Sequence, residues 1–383
     1  MPARPVILVG NFAPDAQQSM LRYAQLLQRE LPKRDLPTTL VAPQPHFARL
    51  CRTYRYSGWP KLLGYLDKFV LFPRTLRRLA QREPESVFHL LDHANAVYLP
   101  HLPRRTLVTC HDLLQVRAAL GEFPQQRVSR SGRRYQAWIL RNLARAPHAA
   151  CVSWKTRRDL LRLTPLSPAR VTVVPLSLNH DYRRVDPGVA WSRLAGQGHP
   201  SAPLIPGEAL LLNVGGGQWY KNRPGLLRLF HALRTHHHYE GRLIMVGKPL
   251  SAVENAIAEE LHLTPRLVCL PNVSNPLLEA LYSVADGLLF PSWEEGLGWP
   301  LLEAQACGCR VFTSDRAPMT EVAGDAAVYF DPTDAAAAAA LVAAALRDTP
   351  PLNQAGFANV QRFTTAAMID GYRELYARVA ANA

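Results

Sequence analysis

The feature that most constrains the fold of this chain is an alternation of short apolar segments with amphipathic segments, which occurs twice. In the N-terminal half, strand-like segments run from 6–10 to 171–175, with helix-like segments such as 19–31 between them. The alternation restarts at 209–214 and continues to a last amphipathic segment at 366–380. Strands alternating with helices predict a parallel sheet covered by helices. We therefore expect an α/β chain with two Rossmann-like domains facing a cleft.

A span without clear periodicity separates the two alternations and sets the predicted boundaries. The length of 383 residues also favours two domains over one. We predict an N-terminal Rossmann-like domain at 1–180 and a linker at 181–206. A C-terminal Rossmann-like domain follows at 207–365, and a final helix occupies 366–383.

The most specific motif lies where the apolar strand 287–290 passes into a helix through the sequence Glu-Gly-Leu-Gly. Glu295 lies in this loop, and Glu303 lies in the first turn of the following helix. Glycines allow a ligand to approach the backbone, and a helix N-terminus suits a phosphate group. Carboxylates accept hydrogen bonds from sugar hydroxyls. The motif therefore favours a nucleotide sugar as ligand, whereas either glutamate alone could be an ordinary cap of a surface helix.

A second glycine-rich loop follows the strand 209–214. Gly215, Gly216 and Gly217 precede Lys221, and a helix begins near Pro224. Proline is common in the first turn of a helix. Glycines and a lysine at a helix entrance suit a diphosphate, although a solvated surface lysine is the alternative interpretation.

A histidine ends another predicted strand in the N-terminal half. His111 and Asp112 follow the apolar segment 105–110. Side chains at the carboxyl end of a parallel strand lie where such sheets bind ligands. His111 could donate a hydrogen bond to a sugar hydroxyl or position the acceptor. The alternative is that His111 only packs and Asp112 caps a turn.

Together these motifs resemble the donor-binding signature of family 4 retaining glycosyltransferases, also called glycosyl transferases group 1. That signature usually reads Glu-Gly-Phe-Gly-x-Pro-x-x-Glu-Ala, and Leu297 replaces the phenylalanine here. The resemblance implies the GT-B fold, with the final helix crossing back to the first, acceptor-side domain. It also implies that the C-terminal domain binds the nucleotide sugar and that neither a cofactor nor a metal is needed.

The resemblance assigns roles to individual residues as well. It implies catalytic roles for His111, Glu295 and Lys221. Glu303 would bind the ribose hydroxyls, and Glu295 would lie near the transferred sugar. The full set of donor-binding residues implied in this way is Gly215, Gly216, Lys221, Glu295, Gly296, Leu297, Gly298 and Glu303.

The sequence departs from the family pattern at two places. An arginine that usually accompanies the lysine is missing near Lys221, so we expect Lys248 or Arg223 to compensate for the lost charge. In the loop after the first strand, Ala13 and Ala16 stand where the family has glycines. Close backbone contact with a ligand is therefore not expected in that loop.

The net charge of +14 requires an anionic partner or a solvated basic surface. Basic residues concentrate in 52–82 and 127–145, where aromatic and aliphatic residues lie among them. Such a mixture is typical of a segment at an anionic membrane surface, but also of a helix that packs on its own core. The six scattered cysteines indicate free thiols in a reducing compartment. We expect a cytoplasmic protein, peripheral at the inner membrane face.

The resulting functional hypothesis is a retaining glycosyltransferase. It would move a sugar from a nucleoside diphosphate sugar to a hydroxyl of a sugar or lipid-linked acceptor, in cell-surface polysaccharide or glycolipid synthesis. A non-catalytic relative that binds nucleotide sugars remains an alternative, as does a nucleotide-sugar epimerase with the same fold. The positive charge also allows a nucleic-acid-binding protein, but no reading module for nucleic acid is recognisable. Nucleic acid is therefore not an expected partner.

Overall fold

The computed structural model describes residues 4–51, 58–196, 198–199, 202–348 and 353–381. Two compact units divide the chain. The first combines Met1–Asn179 with Thr365–Ala383, and the second is His180–Thr364. Within the described ranges, no helix has both the length and the apolar character needed to cross a membrane.

The first unit is built on a six-stranded parallel sheet with the order β2-β1-β3-β4-β5-β6. Its strands are β1 Val6–Val9, β2 Thr38–Val41, β3 Val87–Leu90, β4 Thr106–Cys110, β5 His148–Cys151 and β6 Val171–Val173. Ile7 and Leu8 point to opposite faces of β1, and both are buried, at 3% and 0% exposure. Both faces of this sheet are therefore covered.

In the described part of the first unit, six α-helices accompany these strands before the chain enters the second unit. They are α1 Gln18–Glu30, α2 Gly58–Leu66, α3 Phe72–Arg82, α4 Leu114–Ala119, α5 Arg130–Leu143 and α6 Trp154–Leu163. A π-helical segment, Asp67–Leu71, joins α2 to α3, and the turn His93–His101 is a 3-10 helix. Buried side chains of α3, α5 and α6 pack against the sheet, among them Leu76, Ile139 and Leu160.

The second unit contains another six-stranded parallel sheet, ordered β11-β10-β9-β12-β13-β14. These strands are β9 Leu210–Gly215, β10 Arg242–Gly247, β11 Leu267–Leu270, β12 Gly287–Phe290, β13 Val311–Ser314 and β14 Val328–Phe330. A short antiparallel pair, β7 Gly198–His199 and β8 Ala202–Pro203, precedes them.

The helices of the second unit are α7 Pro187–Leu194, α8 Arg223–His237, α9 Ala252–Glu260, α10 Asn275–Val284, α11 Trp299–Ala306, α12 Met319–Ala323, α13 Ala335–Asp348 and α14 Gln354–Val360. Local sequence explains several of their starts. Ser251 and Glu254 form a capping box that begins α9. Asn222 caps α8, and its side chain accepts a hydrogen bond from the Gly225 N–H at 3.2 Å. The core of the unit joins α8 and α13 to the sheet through residues such as Phe230 and Val342.

The last helix, α15 Thr365–Ala381, belongs to the first unit. Tyr372 accepts a hydrogen bond from the Tyr23 hydroxyl at 2.5 Å. The Tyr376 hydroxyl lies 2.8 Å from Nδ1 of His89, whose Nε2 lies 2.7 Å from Thr109 Oγ1. All these groups are buried, so a polar network fixes α15 against the sheet.

The predicted linker 181–206 and the basic stretch 52–82 both contain helices. The segment 181–206, predicted as a linker, contains α7, which packs against α10 in the second unit. Within the basic stretch 52–82, residues 52–57 lie outside the described residues. The remainder forms α2, the π-helical segment and α3, with Phe72 and Leu76 buried but Trp59 and Leu62 exposed.

Candidate donor site

Two loops meet at the carboxyl ends of β9 and β12, which are neighbours in the second sheet. The strand that follows β9 in sequence, β10, lies on its other side, so the strand order reverses between β9 and β12. In open parallel sheets, ligands bind in the crevice at such a reversal. The loops after the two strands, 216–222 and 291–298, carry most of the predicted site residues.

Hydrogen bonds hold the two loops in a fixed relation. The backbone N–H of Trp293 donates to the Tyr220 carbonyl oxygen at 2.8 Å. Nδ2 of Asn222 donates to the carbonyl oxygens of Pro291 and Pro332, at 3.1 and 3.2 Å. Asn222 has a positive φ of 50°, a conformation that asparagine tolerates better than most residues. The site is therefore supported by rigid loop-to-loop contacts.

Lys221 and Glu295 are in direct contact across these loops. Nζ of Lys221 lies 2.6 Å from Oε1 of Glu295, and the two side chains are 15% and 7% exposed. The ammonium also lies 5.0 Å from the centre of the Phe290 ring. A Cβ atom added to Gly215 would lie 3.4 Å from Cδ of Lys221, so the lysine stem runs along the glycine backbone. The predicted lysine and glutamate thus form one ion pair.

Glu303 receives a hydrogen bond from a residue that the sequence did not indicate. The Tyr282 hydroxyl, on α10, donates to Oε2 of Glu303 at 3.0 Å. Burial, followed by the charge of Glu303, raises the pKa of Tyr282 well above its ordinary value. The phenol therefore stays protonated and remains a hydrogen-bond donor to the carboxylate.

The start of α11 depends on glycine. Gly298, the residue before the helix, has a φ of +96°. An L-residue adopts this conformation only with strain. Leu297 is buried at 7% exposure, so its side chain contributes to the core. The N–H groups of a first helical turn lack intrahelical partners and can face an anionic ligand.

The ends of β9 and β10 are packed backbone to backbone. A Cβ atom on Gly247 would collide with the carbonyl oxygen of Gly215, so only glycine fits at position 247. Arg223 is buried beside this junction at 3% exposure. Its Nη1 donates to the Pro249 carbonyl oxygen at 3.3 Å and lies 3.6 Å from Oε2 of Glu254.

His111 lies in the first unit, directly after β4. Its Nε2 lies 2.9 Å from the Leu91 carbonyl oxygen, so Nε2 carries the proton and donates. Burial lowers the pKa of His111, although the negative charge of Asp92 acts to raise it. The ring is therefore neutral at neutral pH. Nδ1 is then a hydrogen-bond acceptor. Because Nε2–H is already engaged, donation to a sugar hydroxyl, one role expected from the sequence, does not fit this geometry.

Two family models match the chain. The model "Glycosyltransferase Family 4" matches residues 20–182, and "Glycosyl transferases group 1" matches residues 199–360. The chain belongs to the group 1 glycosyltransferases. The loops around Lys221 and Glu295 lie in the second matched region, and His111 lies in the first.

Individual glycosyltransferases are similar to this one over most of its length. It is 27% identical to O-antigen chain mannosyltransferase B of Escherichia coli over 308 residues, which cover 76% of this chain and 75% of that protein. Sucrose-phosphate synthase from Thermosynechococcus elongatus has a similar structure, with a TM-score of 0.75 at 19% identity, covering 99% of this chain and 100% of that one. Anabaena HepE, solved in complex with UDP, gives a TM-score of 0.69 at 13% identity, with 98% and 100% covered. The predicted α/β class with two Rossmann-like domains, the GT-B fold, is confirmed.

The glycosyltransferase has a further polar cluster at the carboxyl ends of β1 and β3, in which the sequence pointed to Asp92 as a possible site residue but not to its hydrogen bonds with Asn11 and Asn95. Nδ2 of Asn11 donates to Oδ2 of Asp92 at 2.6 Å, and Nδ2 of Asn95 donates to Oδ1 of Asn11 at 2.9 Å. The strand order of the first sheet also reverses between β1 and β3. In the sequence, only the position of Asn11 shortly after a buried strand indicated that it could contribute to a site.

Other polar residues at strand ends act as local caps. Oγ of Ser153 accepts a hydrogen bond from the Thr156 N–H at 3.1 Å and begins α6. Oδ1 of Asp112 accepts from the Leu114 N–H at 3.0 Å, as in the capping alternative considered for this residue. The six cysteines are free thiols, as predicted. Among the residues that the structure describes, no group of three or more His, Cys, Asp or Glu side chains could hold a metal ion.

Proposed function

We propose that this chain is a retaining glycosyltransferase that transfers a sugar from a nucleoside diphosphate sugar to a hydroxyl acceptor. The observation that carries the proposal is the contact of Lys221 with Glu295, 2.6 Å apart, where the strand order reverses between β9 and β12. A cation there suits an anionic leaving group, and a carboxylate suits sugar hydroxyls. A nucleotide sugar presents both.

Different residues of the second unit would bind different parts of the nucleotide sugar. Glu303, oriented by Tyr282, would accept hydrogen bonds from the ribose hydroxyls. Glu295 would contact the transferred sugar. Lys221 and the backbone N–H groups of 296–298 would stabilise the charge that develops on the leaving diphosphate. Preorganised hydrogen-bonding groups of this kind stabilise the transition state most strongly in a site that excludes water, because they need no reorganisation during the reaction.

The proposed reaction retains the configuration at the anomeric carbon. The acceptor oxygen attacks this carbon from the face that the diphosphate leaves, and the bond to the diphosphate oxygen breaks. A phosphate oxygen of the leaving group takes the proton of the acceptor hydroxyl. His111, with Nδ1 as acceptor, would hold a hydroxyl of the sugar or of the acceptor. We propose that no metal takes part, because Lys221 and the loop N–H groups supply the electrostatic stabilisation.

The relatives support a class of substrate and pathway. A UDP complex of Anabaena HepE supports a nucleoside diphosphate donor. The name O-antigen chain mannosyltransferase B, for a relative that matches 76% of this chain, supports a role in the synthesis of cell-surface polysaccharide. We propose a sugar or lipid-linked acceptor, as in polysaccharide or glycolipid synthesis.

An apolar ridge on the first unit supports contact with an anionic membrane at the cytoplasmic face. The ridge consists of Trp59, Leu62, Leu66 and Val70, which are 69%, 52%, 40% and 41% exposed. They lie three or four residues apart, so they share a helical face. Exposed arginines follow on α3, among them Arg74, Arg77 and Arg78. Apolar side chains flanked by cations suit the boundary of an anionic bilayer.

A thermal-shift panel of UDP-, GDP- and ADP-sugars tests the proposal. A donor at a hundredfold excess over its Kd stabilises the folded state by about 2.7 kcal/mol, so its Tm shift is easily measured. The stabilising donor is then supplied with acceptors, and the anomeric configuration of the product is read by NMR. No shift with any nucleotide sugar would refute the proposal. A shift without transfer or donor hydrolysis would favour the non-catalytic relative.

A further inference from the structure

We propose that Lys248 supplies the uncompensated positive charge that attracts the donor diphosphate, and that Arg223 acts as the positioning residue for the loop that carries Lys248. This inference rests on the proposed function, because it identifies a further binding residue of the same site. It also distinguishes between the two cations that the sequence offered as replacements for a missing arginine.

The charge balance around the glycine-rich loop shows why another cation is needed. Lys221 carries one positive charge, but Glu295 lies 2.6 Å from its Nζ and offsets it. The glycine-rich loop and this ion pair together are therefore close to neutral. A diphosphate carries more than one negative charge, which the loop N–H groups and a partly offset Lys221 do not fully balance, so a further cation within reach would strengthen its binding.

Arg223 is a poor candidate for that charge. Its side chain is 97% buried, since only 3% of its surface is exposed. Glu254 lies 3.6 Å from Nη1 and offsets its charge, and the same nitrogen donates to the Pro249 carbonyl oxygen. A guanidinium held in this way anchors a backbone rather than meeting a ligand. Because Pro249 follows Lys248 in the chain, Arg223 fixes the base of the Lys248 loop.

Lys248 has the properties that Arg223 lacks. It is exposed, and within the described ranges it forms no ion pair. It directly follows Gly247, whose register partner is Gly215, the last residue of β9 before the glycine-rich loop. Lysine is well suited to bind phosphate as a mobile point charge.

The position of Gly217 connects these two cations to the glycine-rich loop. A Cβ atom added to Gly217 would lie 3.7 Å from Nη1 of Arg223 and 4.0 Å from Cδ of Lys248. The aliphatic stem of Lys248 therefore passes over the backbone of Gly217. From there its ammonium can reach a phosphate bound against the glycines, on the side of the loop opposite to β12.

Calorimetric titration of the full chain with UDP, GDP and ADP tests this assignment, with the corresponding nucleosides as uncharged probes. Lys248→Ala removes the charge at an exposed position, so folding should be unaffected. We expect it to weaken binding of the preferred nucleoside diphosphate ~10-fold and to leave nucleoside binding unchanged. Lys248→Arg should restore most of the affinity. The matched control is Arg228→Ala, which removes an exposed cation from α8 and should change neither affinity by more than about twofold.

The outcomes separate this inference from the proposed function. If the wild-type chain binds no nucleoside diphosphate, the proposed function fails and Lys248 loses its role with it. If the wild type binds and Lys248→Ala binds equally well, only the assignment of Lys248 is wrong. The assignment would also be overturned if Lys248→Ala lost affinity equally for diphosphate and nucleoside, or if Arg228→Ala lost as much affinity as Lys248→Ala. In either case the effect would not come from contact of the Lys248 charge with the diphosphate.

Discussion

Lys221 donates a hydrogen bond to Glu295 across the ends of two neighbouring strands, with 2.6 Å between Nζ and Oε1. Both side chains are largely buried, so each charge depends on the other for compensation. Removal of one partner from such a pair leaves an uncompensated charge, which costs more than the interaction itself contributes. The pair also holds both groups in position before a donor binds.

Disruption of this pair should reduce donor turnover. We expect Lys221→Ala and Glu295→Gln each to lower kcat/KM about 100-fold, which corresponds to about 2.7 kcal/mol of lost transition-state stabilisation. Because the residues are in contact, the double variant should lose clearly less than the product of the two single losses. Steady-state kinetics with the donor identified by thermal shift provides the measurement.

The neighbouring carboxylate offers a control for the double-variant experiment. Glu294→Gln changes the same functional group one position earlier in the loop and should keep kcat/KM within a few-fold of wild type. Independent, multiplicative losses for Lys221 and Glu295 would contradict a functional ion pair. So would a loss in Glu294→Gln as large as that in Glu295→Gln.

Tyr282 should determine how well Glu303 binds the donor. Tyr282→Phe removes the hydroxyl that donates to Glu303 at 3.0 Å. The loss of one such bond to a charged group costs about 1.5–3 kcal/mol, so we expect the donor KM to rise at least ~10-fold with little change in kcat. The effect should appear with every acceptor, because the ribose does not change during transfer.

A half-buried tyrosine, Tyr239, provides the control. The Tyr239 hydroxyl donates to Oδ2 of Asp286 at 2.7 Å in the same unit. Tyr239→Phe should lower the Tm by an amount similar to Tyr282→Phe but leave the donor KM unchanged. Equal KM values in both variants would mean that the Tyr282 hydroxyl only stabilises the fold.

The sequence predicted the fold well where hydrophobic periodicity was strong. The strand 287–290 has the predicted bounds, and the helix expected at 19–31 is observed as Gln18–Glu30. The stretch 58–82 allowed two interpretations, since cations and apolar residues alternate throughout it. The structure contains both features, because one side of these helices packs on the core while Trp59 and its neighbours are exposed.

The site was predictable only as far as local motifs reached. Lys221, Glu295 and Glu303 follow from glycine-rich turns between a strand and a helix. Tyr282 does not, because its contact with Glu303 depends on how α10 packs against α11. Asn222 lies two residues before Pro224 in the sequence, but its bonds to the β12 loop become visible only in the tertiary structure. Roles that arise from packing between distant segments leave no local pattern.

His89, buried on β3 where it contacts Tyr376 of α15, should make stability sensitive to acid. Burial, with a smaller contribution from His111, lowers the pKa of His89 from 6.5 to about 3. Between these values the unfolded chain binds a proton that the folded chain does not, so stability falls as the pH falls. This contribution amounts to about 1.4 kcal/mol per pH unit below pH 6.5 and ends near pH 3.

Thermal unfolding between pH 7.5 and 4.5 checks this prediction. His89→Gln removes the titrating group, so its Tm should fall less steeply with acid than that of the wild type. His236→Gln, at an exposed position in the last turn of α8, is the control and should reproduce the wild-type slope. Parallel slopes in the wild type and His89→Gln would contradict a buried neutral His89.

The apolar ridge of Trp59, Leu62, Leu66 and Val70 should bind anionic bilayers. Burial of a large apolar side chain contributes about 1.5–3 kcal/mol, so Trp59→Ala and Leu62→Ser should each reduce partitioning into phosphatidylglycerol vesicles ~10-fold. Binding should also weaken in high salt, because the flanking arginines contribute by electrostatic attraction. The control is Trp154→Ala, which removes another exposed tryptophan, 60% exposed, from α6 of the same unit. Co-sedimentation with vesicles measures the partitioning, and equal binding by Trp59→Ala and Trp154→Ala would show that the ridge is not a membrane contact.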